Sequence, residues 1–146
     1  MLKNINKNIK ILYVEDDEIA RENGIEYLQN FFEQIYEASD AIKALQLYEK
    51  YQPDIIITDI QMPKLNGLEF VKRIRQKDKK TQIIIITAFC DKDYLLKAIE
   101  LGLVKYLVKP VCEKEFEEAL FLCVNSLQNN ESNIIKLDEN SYFDIF

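Results

Sequence analysis

Two stretches of this chain are apolar and mostly β-branched: Asp54–Thr58 (DIIIT) and Gln82–Thr87 (QIIIIT). A strand with one wet face alternates polar and apolar residues. A run without that alternation belongs to a strand covered on both faces. Helices packed on both sides of a parallel sheet provide such cover, so these two runs direct the chain towards an α/β architecture. Three more runs read as strands: Ile9–Val14 (IKILYV), the short alternating Gln34–Ala38 (QIYEA) and Lys105–Lys109 (KYLVK).

Between the strands, apolar residues recur at helical spacing. Asp17–Phe32 places Ala20, Tyr27, Leu28 and Phe31 near one stripe. Asp40–Tyr51 does so with Ala41, Ala44, Leu45 and Tyr48, and Asp40 suits an N-cap. Leu68–Gln76 carries Leu68, Val71 and Ile74, and Lys92–Leu101 carries Leu95, Leu96, Ala98 and Ile99 before a closing Gly102. Glu113–Leu127 carries Phe116, Ala119, Leu120, Cys123 and Leu127. Five strand–helix units with right-handed crossovers predict one doubly wound, five-stranded parallel sheet over residues 9 to 128.

The rest of the chain differs. Gln128–Asn133 (QNNESN) is polar and reads as a linker. In the following IIKLDENSYFDIF, the apolar residues on either side of a DENS turn suggest a hairpin. The expected division is a domain over 1–128, then a linker and the start of a truncated output domain over 129–146.

Composition removes several function classes. Nineteen Lys+Arg against 25 Asp+Glu give a net charge of −6, which repels a phosphate backbone, so these residues alone are not expected to bind DNA. Histidine is absent, which excludes histidine acid–base catalysis and histidine-ligated metals. The three cysteines, Cys90, Cys112 and Cys123, lack metal spacing and read as small core residues. With only short apolar runs and no apolar core in MLKNINKNIK, neither a membrane span nor a signal peptide is expected, and a cytoplasmic location follows.

In open α/β sheets, ligands bind beyond the carboxyl ends of the strands. The first strand runs into Glu15-Asp16-Asp17, the third into Asp59, the fourth ends in Thr87 and the fifth in Lys109-Pro110. Carboxylates crowded together repel one another unless a cation joins them, and oxygen ligands with room for water suit Mg²⁺. Asp17 and Glu18 are set apart as residues that open the first helix and favour its dipole. A carboxylate beside such a cation can attack phosphorus, with Lys109 and the Thr87 hydroxyl placed to receive phosphoryl oxygens.

These motifs, ILYVEDDE, IIITDIQMPKLNG, IIIITA and YLVKP, stand in order, and with them the chain resembles the receiver domains of bacterial two-component response regulators. The resemblance covers residues 8 to about 128 and implies a flavodoxin-like fold of strand order 2-1-3-4-5. It implies that Asp59 accepts a phosphoryl group from a sensor histidine kinase. Asp16, Asp59 and the Gln61 backbone carbonyl would bind Mg²⁺ directly, and Glu15 through a water. Lys109 would pair with Asp59 and then with the phosphoryl group, while Thr87 moves inward and Tyr106 follows. The Lys109–Pro110 bond is expected to be cis, and Met62-Pro63 and Asn66-Gly67 to be turn residues shaping the loop after Asp59.

The expected output surface is the fourth helix, fifth strand and fifth helix, a face that can also form a homodimer. The fifth helix (EKEFEEALFLCVNSL) contains no arginine, unlike winged-helix regulators with a salt-bridged dimer face. Cys112 stands where an Asp or Asn helix cap is usual, and Glu15 where many members carry Asp. Transcriptional control would act through an output domain missing here; the alternative is a stand-alone phospho-dependent interaction module. Beyond self-phosphorylation and self-dephosphorylation, no enzyme activity is expected. A flavodoxin is disfavoured because EDDE would repel the phosphate its first loop must cradle. A haloacid-dehalogenase-type phosphatase is disfavoured because Gln61 stands where a second Asp is required.

Overall fold

A computed structural model describes residues 8–88 and 91–132. The elements alternate: β1 (Lys10–Val14), α1 (Glu18–Leu28), β2 (Gln34–Ala38), α2 (Ala41–Tyr51), β3 (Ile55–Thr58), α3 (Gly67–Lys77), β4 (Gln82–Thr87), α4 (Lys92–Glu100), β5 (Lys105–Val108) and α5 (Glu113–Ser132). The sheet has the order β2-β1-β3-β4-β5, and every pairing is parallel. Val14 stands opposite both Ala38 and Thr58, Thr58 opposite Ile85, and Thr87 opposite Val108. Fold class and strand order agree with expectation.

The isoleucine runs divide between two cores. Ile11, Tyr13, Ile55, Ile57, Ile84 and Ile86 face Leu28 of α1 and Phe116, Ala119, Leu120 and Cys123 of α5. The alternate residues Leu12, Val14, Ile56, Ile83 and Ile85 meet Ala41, Ala44 and Tyr48 of α2, Phe70, Val71 and Ile74 of α3, and Ala98 of α4. Successive strand side chains point to opposite faces, so a strand with two helical layers must be apolar throughout.

Helix starts follow their caps. The side chains of Asp17, Asp40, Asn66 and Asp91 each accept a backbone N–H from the first turn that follows. Asn66 and Gly67 therefore begin α3 rather than forming a separate turn. Gly102, at φ +71°, follows the end of α4 in the left-handed conformation that favours glycine.

Three segments depart from expectation. The first helix stops at Leu28 rather than Phe32, because Asn30 donates side-chain and backbone N–H groups to the Tyr27 carbonyl and tightens the last turn. In α4, Leu96 and Ile99 are 50% and 59% exposed, because the helix rests on the stripe of Tyr94, Ala98 and Leu101 instead. At the other end, α5 continues through Ser132 into the segment read as a linker; no Gly or Pro interrupts it. The expected hairpin and Cys90 lie outside the described residues. Cys123 is a core residue, but Cys112 is exposed, and its Sγ accepts the Glu115 N–H at 3.4 Å, capping α5 in place of the usual oxygen. Among the described residues no helix is long and apolar enough to cross a membrane.

Candidate functional site

The carboxyl ends of the strands carry the site. Beyond β1, the Glu15 N–H donates to the Ala38 carbonyl at 3.0 Å. Beyond β3, the Asp59 N–H donates to Val14 at 3.2 Å, and beyond β5 the Lys109 N–H donates to Thr87 at 2.8 Å. Each of these residues stands one position past its strand, its backbone held by the last bond of the ladder. The sheet thus fixes three side chains that are remote in sequence.

Oxygens of Glu15, Asp16 and Asp59 lie within 4.8 Å of one another. Glu15 and Asp59 are buried, at 2% and 7% exposure, whereas Asp16 faces solvent. The Lys109 ammonium bridges the two buried acids, donating to Asp59 Oδ2 at 2.9 Å and to Glu15 Oε1. The remaining oxygens are also engaged: Asp59 Oδ1 accepts the Gln61 N–H at 3.1 Å, and Glu15 Oε2 the Asp17 N–H at 3.3 Å.

Burial pushes the Glu15 carboxyl above the usual carboxylate range, and its contacts with Lys109 oppose the shift without cancelling it. Burial also works against the Lys109 charge, but the two carboxylates outweigh it and hold the amine above the ordinary lysine value. Beneath the cluster, burial raises the Tyr13 phenol to about 12, helped by Glu15 and Asp59 and opposed by Lys109. Three clustered carboxylates, one open to solvent, form a hard-oxygen donor set that suits a divalent cation.

Thr87 is fully buried at the end of β4, its carbonyl holding Lys109. Tyr106, opposite Ile85, is half-buried against the core beneath α2, α3 and α4. The Lys109–Pro110 peptide is cis. The structure brings Glu15, Asp16, Asp59 and Lys109 into one cluster, with Thr87 joined to it through the backbone.

Two contacts at the site go beyond the sequence reading, in which Gly67 is only a turn residue of the loop after Asp59 and Arg21 has no role. Gly67 begins α3 hard against the Asp59 backbone, and its N–H donates to the Ile60 carbonyl at 2.8 Å. An amphipathic pattern cannot reveal so close an approach, although Asn66 as a cap could have marked the helix start. Arg21 of α1 reaches back to the Glu15 carbonyl at 2.9 Å. Nothing in its sequence surroundings signals that contact.

Comparison with known proteins agrees with this geometry. The model of the response regulator receiver domain family matches residues 11–121. An uncharacterized response regulatory protein of Staphylococcus epidermidis is 34% identical over 121 residues, covering 81% of this chain and 47% of that protein. The transcriptional regulatory protein BtsR of Salmonella typhi is 38% identical over 114 residues, covering 77% and 46%. Among solved structures, the N-terminal domain of an uncharacterized protein from Wolinella succinogenes superposes with a TM-score of 0.75 at 42% identity, covering 79% of this chain and 93% of that one. The chain spans about half the length of the curated relatives it matches. With most of its residues matched by one family, and relatives this similar across the same span, the chain belongs to the response regulator receiver domain family.

Proposed function

We propose that a sensor histidine kinase transfers a phosphoryl group to Asp59 and that this charge switches an output surface. The observation that carries the reading is the Lys109 bridge between Glu15 and Asp59 beside the exposed Asp16. An Asp59 carboxylate oxygen forms the new bond to phosphorus as the donor's bond to it breaks. Asp16, Asp59 and the Gln61 carbonyl would hold Mg²⁺ directly, and Glu15 through water; when bound, the ion offsets charge on the phosphoryl oxygens. Lys109 passes from the carboxylate to the phosphoryl group, and the Thr87 hydroxyl donates to it. As a receiver domain the chain is not a catalyst beyond its own phosphorylation and dephosphorylation.

Phosphorylation adds about −1.5 to −2 charge to a site that is already acidic. Thr87 moves towards the new charge, and Tyr106 fills the space it leaves. The change is read on the face of α4, β5 and α5, where Leu96, Ile99, Val108 and Leu122 are exposed, a surface that also suits a homodimer. The reading places the chain in the cytoplasm and assigns control of transcription to an output region beyond a domain of residues 1–128. Support for that assignment comes from relatives such as BtsR, named a transcriptional regulatory protein and about twice as long as the matched span.

Incubation with Mg²⁺ and acetyl phosphate should add one phosphoryl mass to the wild type and none to Asp59→Asn. An unchanged wild-type mass would overturn the proposal. Tyr106→Ala should retain phosphorylation and weaken output, and loss of phosphorylation would remove its switch role.

A further inference from the structure

The Arg21 side chain holds the peptide link that leads into Asp16. Its guanidinium Nη1 donates to the Glu15 carbonyl at 2.9 Å, whereas the Arg21 backbone N–H makes the ordinary first bond of α1, to the Asp17 carbonyl at 2.9 Å, which does not depend on the side chain. The guanidinium is itself tied across to β2, where its Nε meets Glu37 Oε1 at 3.3 Å. The Arg21 side chain is 16% exposed, so its bond to the Glu15 carbonyl is largely shielded from competing water, while Glu37, at 53%, leaves the second bond open to solvent.

A positive charge here should repel a cation bound by Glu15, Asp16 and Asp59. Its electrostatic effect therefore opposes the site, while its hydrogen bonds set the site's geometry. Asp16 is the exposed member of the cluster, and its own burial does little to fix it. The turn that carries it must be held by backbone contacts, and the Arg21 guanidinium supplies one at the Glu15 carbonyl, immediately before Asp16.

We propose that Arg21 is a positioning residue for the divalent cation: it clamps the Glu15–Asp17 turn so that the Asp16 carboxylate is presented to the ion. This inference rests on the Mg²⁺ reading given above. The clamp acts before any phosphoryl group arrives, so its effect falls on cation affinity and not on the maximal rate of transfer.

The test is calorimetric titration of the full chain with MgCl₂, comparing wild type, Arg21→Met and Arg21→Lys. Loss of a partner that orients a metal ligand typically weakens binding about 10- to 100-fold, so Arg21→Met should lie near the lower figure. Arg21→Lys keeps the charge and one donor and should fall between, about two- to three-fold weaker than wild type. With acetyl phosphate, Arg21→Met should need more Mg²⁺ for half-maximal phosphorylation but reach a near wild-type rate at saturation.

A residue serving only the stability of α1 would lower the unfolding midpoint and leave Mg²⁺ affinity unchanged, or tighten it by removing a positive charge. Either result with Arg21→Met overturns the proposal. If the methionine chain does not fold, unchanged affinity in Arg21→Lys overturns it. A wild-type chain that takes up no Mg²⁺ refutes the cation reading itself and this inference with it, a failure visible without any variant.

Discussion

A methyl group placed on Gly67 would lie 2.0 Å from the Asp59 carbonyl oxygen and 2.8 Å from both the Asp59 carbonyl carbon and the Ile60 Cα. All three are backbone atoms, so no side-chain rotation relieves the contact. The start of α3 and the loop carrying the candidate phosphoacceptor therefore form one packed unit. Gly67→Ala should force them apart and lower stability by about 1–3 kcal/mol in urea unfolding. Phosphoryl uptake at Asp59 should slow with it. Wild-type values for both would mean that the loop adapts freely.

A second glycine sets up a different test. A methyl group on Gly24 would meet the Tyr13 ring, 2.3 Å from its hydroxyl and 2.4 Å from the nearest ring carbons. Alanine at an exposed helix interior normally gains up to about 1 kcal/mol over glycine. Against the buried Tyr13 ring, Gly24→Ala should instead destabilise. In a Tyr13→Leu background the same change should become stabilising. Such a double-mutant cycle should give a coupling of about 1–3 kcal/mol, and additive values would show that the ring moves aside at no cost.

The contrast between these contacts and the strands shows what the sequence reveals. Runs such as Ile83–Ile86 are legible because each residue reports its own burial, and a short, continuous, β-branched run marks a strand covered on both faces. The acids were legible because strand ends follow from the strands, and topology brings those ends together. Asp40 was legible as a cap because a cap acts within one turn, and Asp17, read only as opening the first helix, proves to be its cap. Contacts between distant segments leave no local trace. Arg21 on the Glu15 carbonyl, Gly67 against Asp59 and Tyr13 against Gly24 all arise only once the layers pack. The stripe of α4 was misplaced for a related reason: Leu95, Leu96 and Ile99 are apolar, but the sheet edge beneath accepts Tyr94, Ala98 and Leu101. Gln128–Ser132 shows that polarity alone does not end a helix.

At the amino end of β4, Asp78 joins α2 to the turn before that strand. Its Oδ2 accepts the Tyr48 hydroxyl at 2.7 Å, and its Oδ1 the N–H groups of Lys80 and Thr81 at 2.8 and 3.1 Å. Burial alone would raise its pKa, but the Tyr48 hydroxyl, these amides and Arg75 together bring it below the ordinary carboxylate value. A lowered native pKa means that the unfolded chain binds the proton more readily. The stabilisation is therefore complete above about pH 4 and is lost as pH falls through the native value. Asp78→Asn should lose about 1.5–3 kcal/mol at pH 7 and show a shallower decline below pH 4. An unchanged acid limb in urea midpoints across pH would remove Asp78 from the acid response.

Lys109 neutralises two buried carboxylates at once, so its loss affects folding as well as signalling. Removing one partner of a buried ion pair typically costs about 3–5 kcal/mol, and water reaching the 29% exposed Lys109 should temper this. Without metal, Lys109→Met should therefore lose about 2 kcal/mol, discounted from that range for solvent access. Divalent cation should reverse part of the loss. In the wild type an incoming cation must share Glu15 and Asp59 with the ammonium; in the variant the oxygens that held the ammonium are released to it. A ligand that binds only the folded state stabilises in proportion to the logarithm of its saturation. MgCl₂ should therefore raise the unfolding midpoint of Lys109→Met by more than that of the wild type, with NaCl at matched ionic strength as the control. An equal or smaller rise in the variant would show that ammonium and cation do not compete for these oxygens, and that the cation is held chiefly by Asp16.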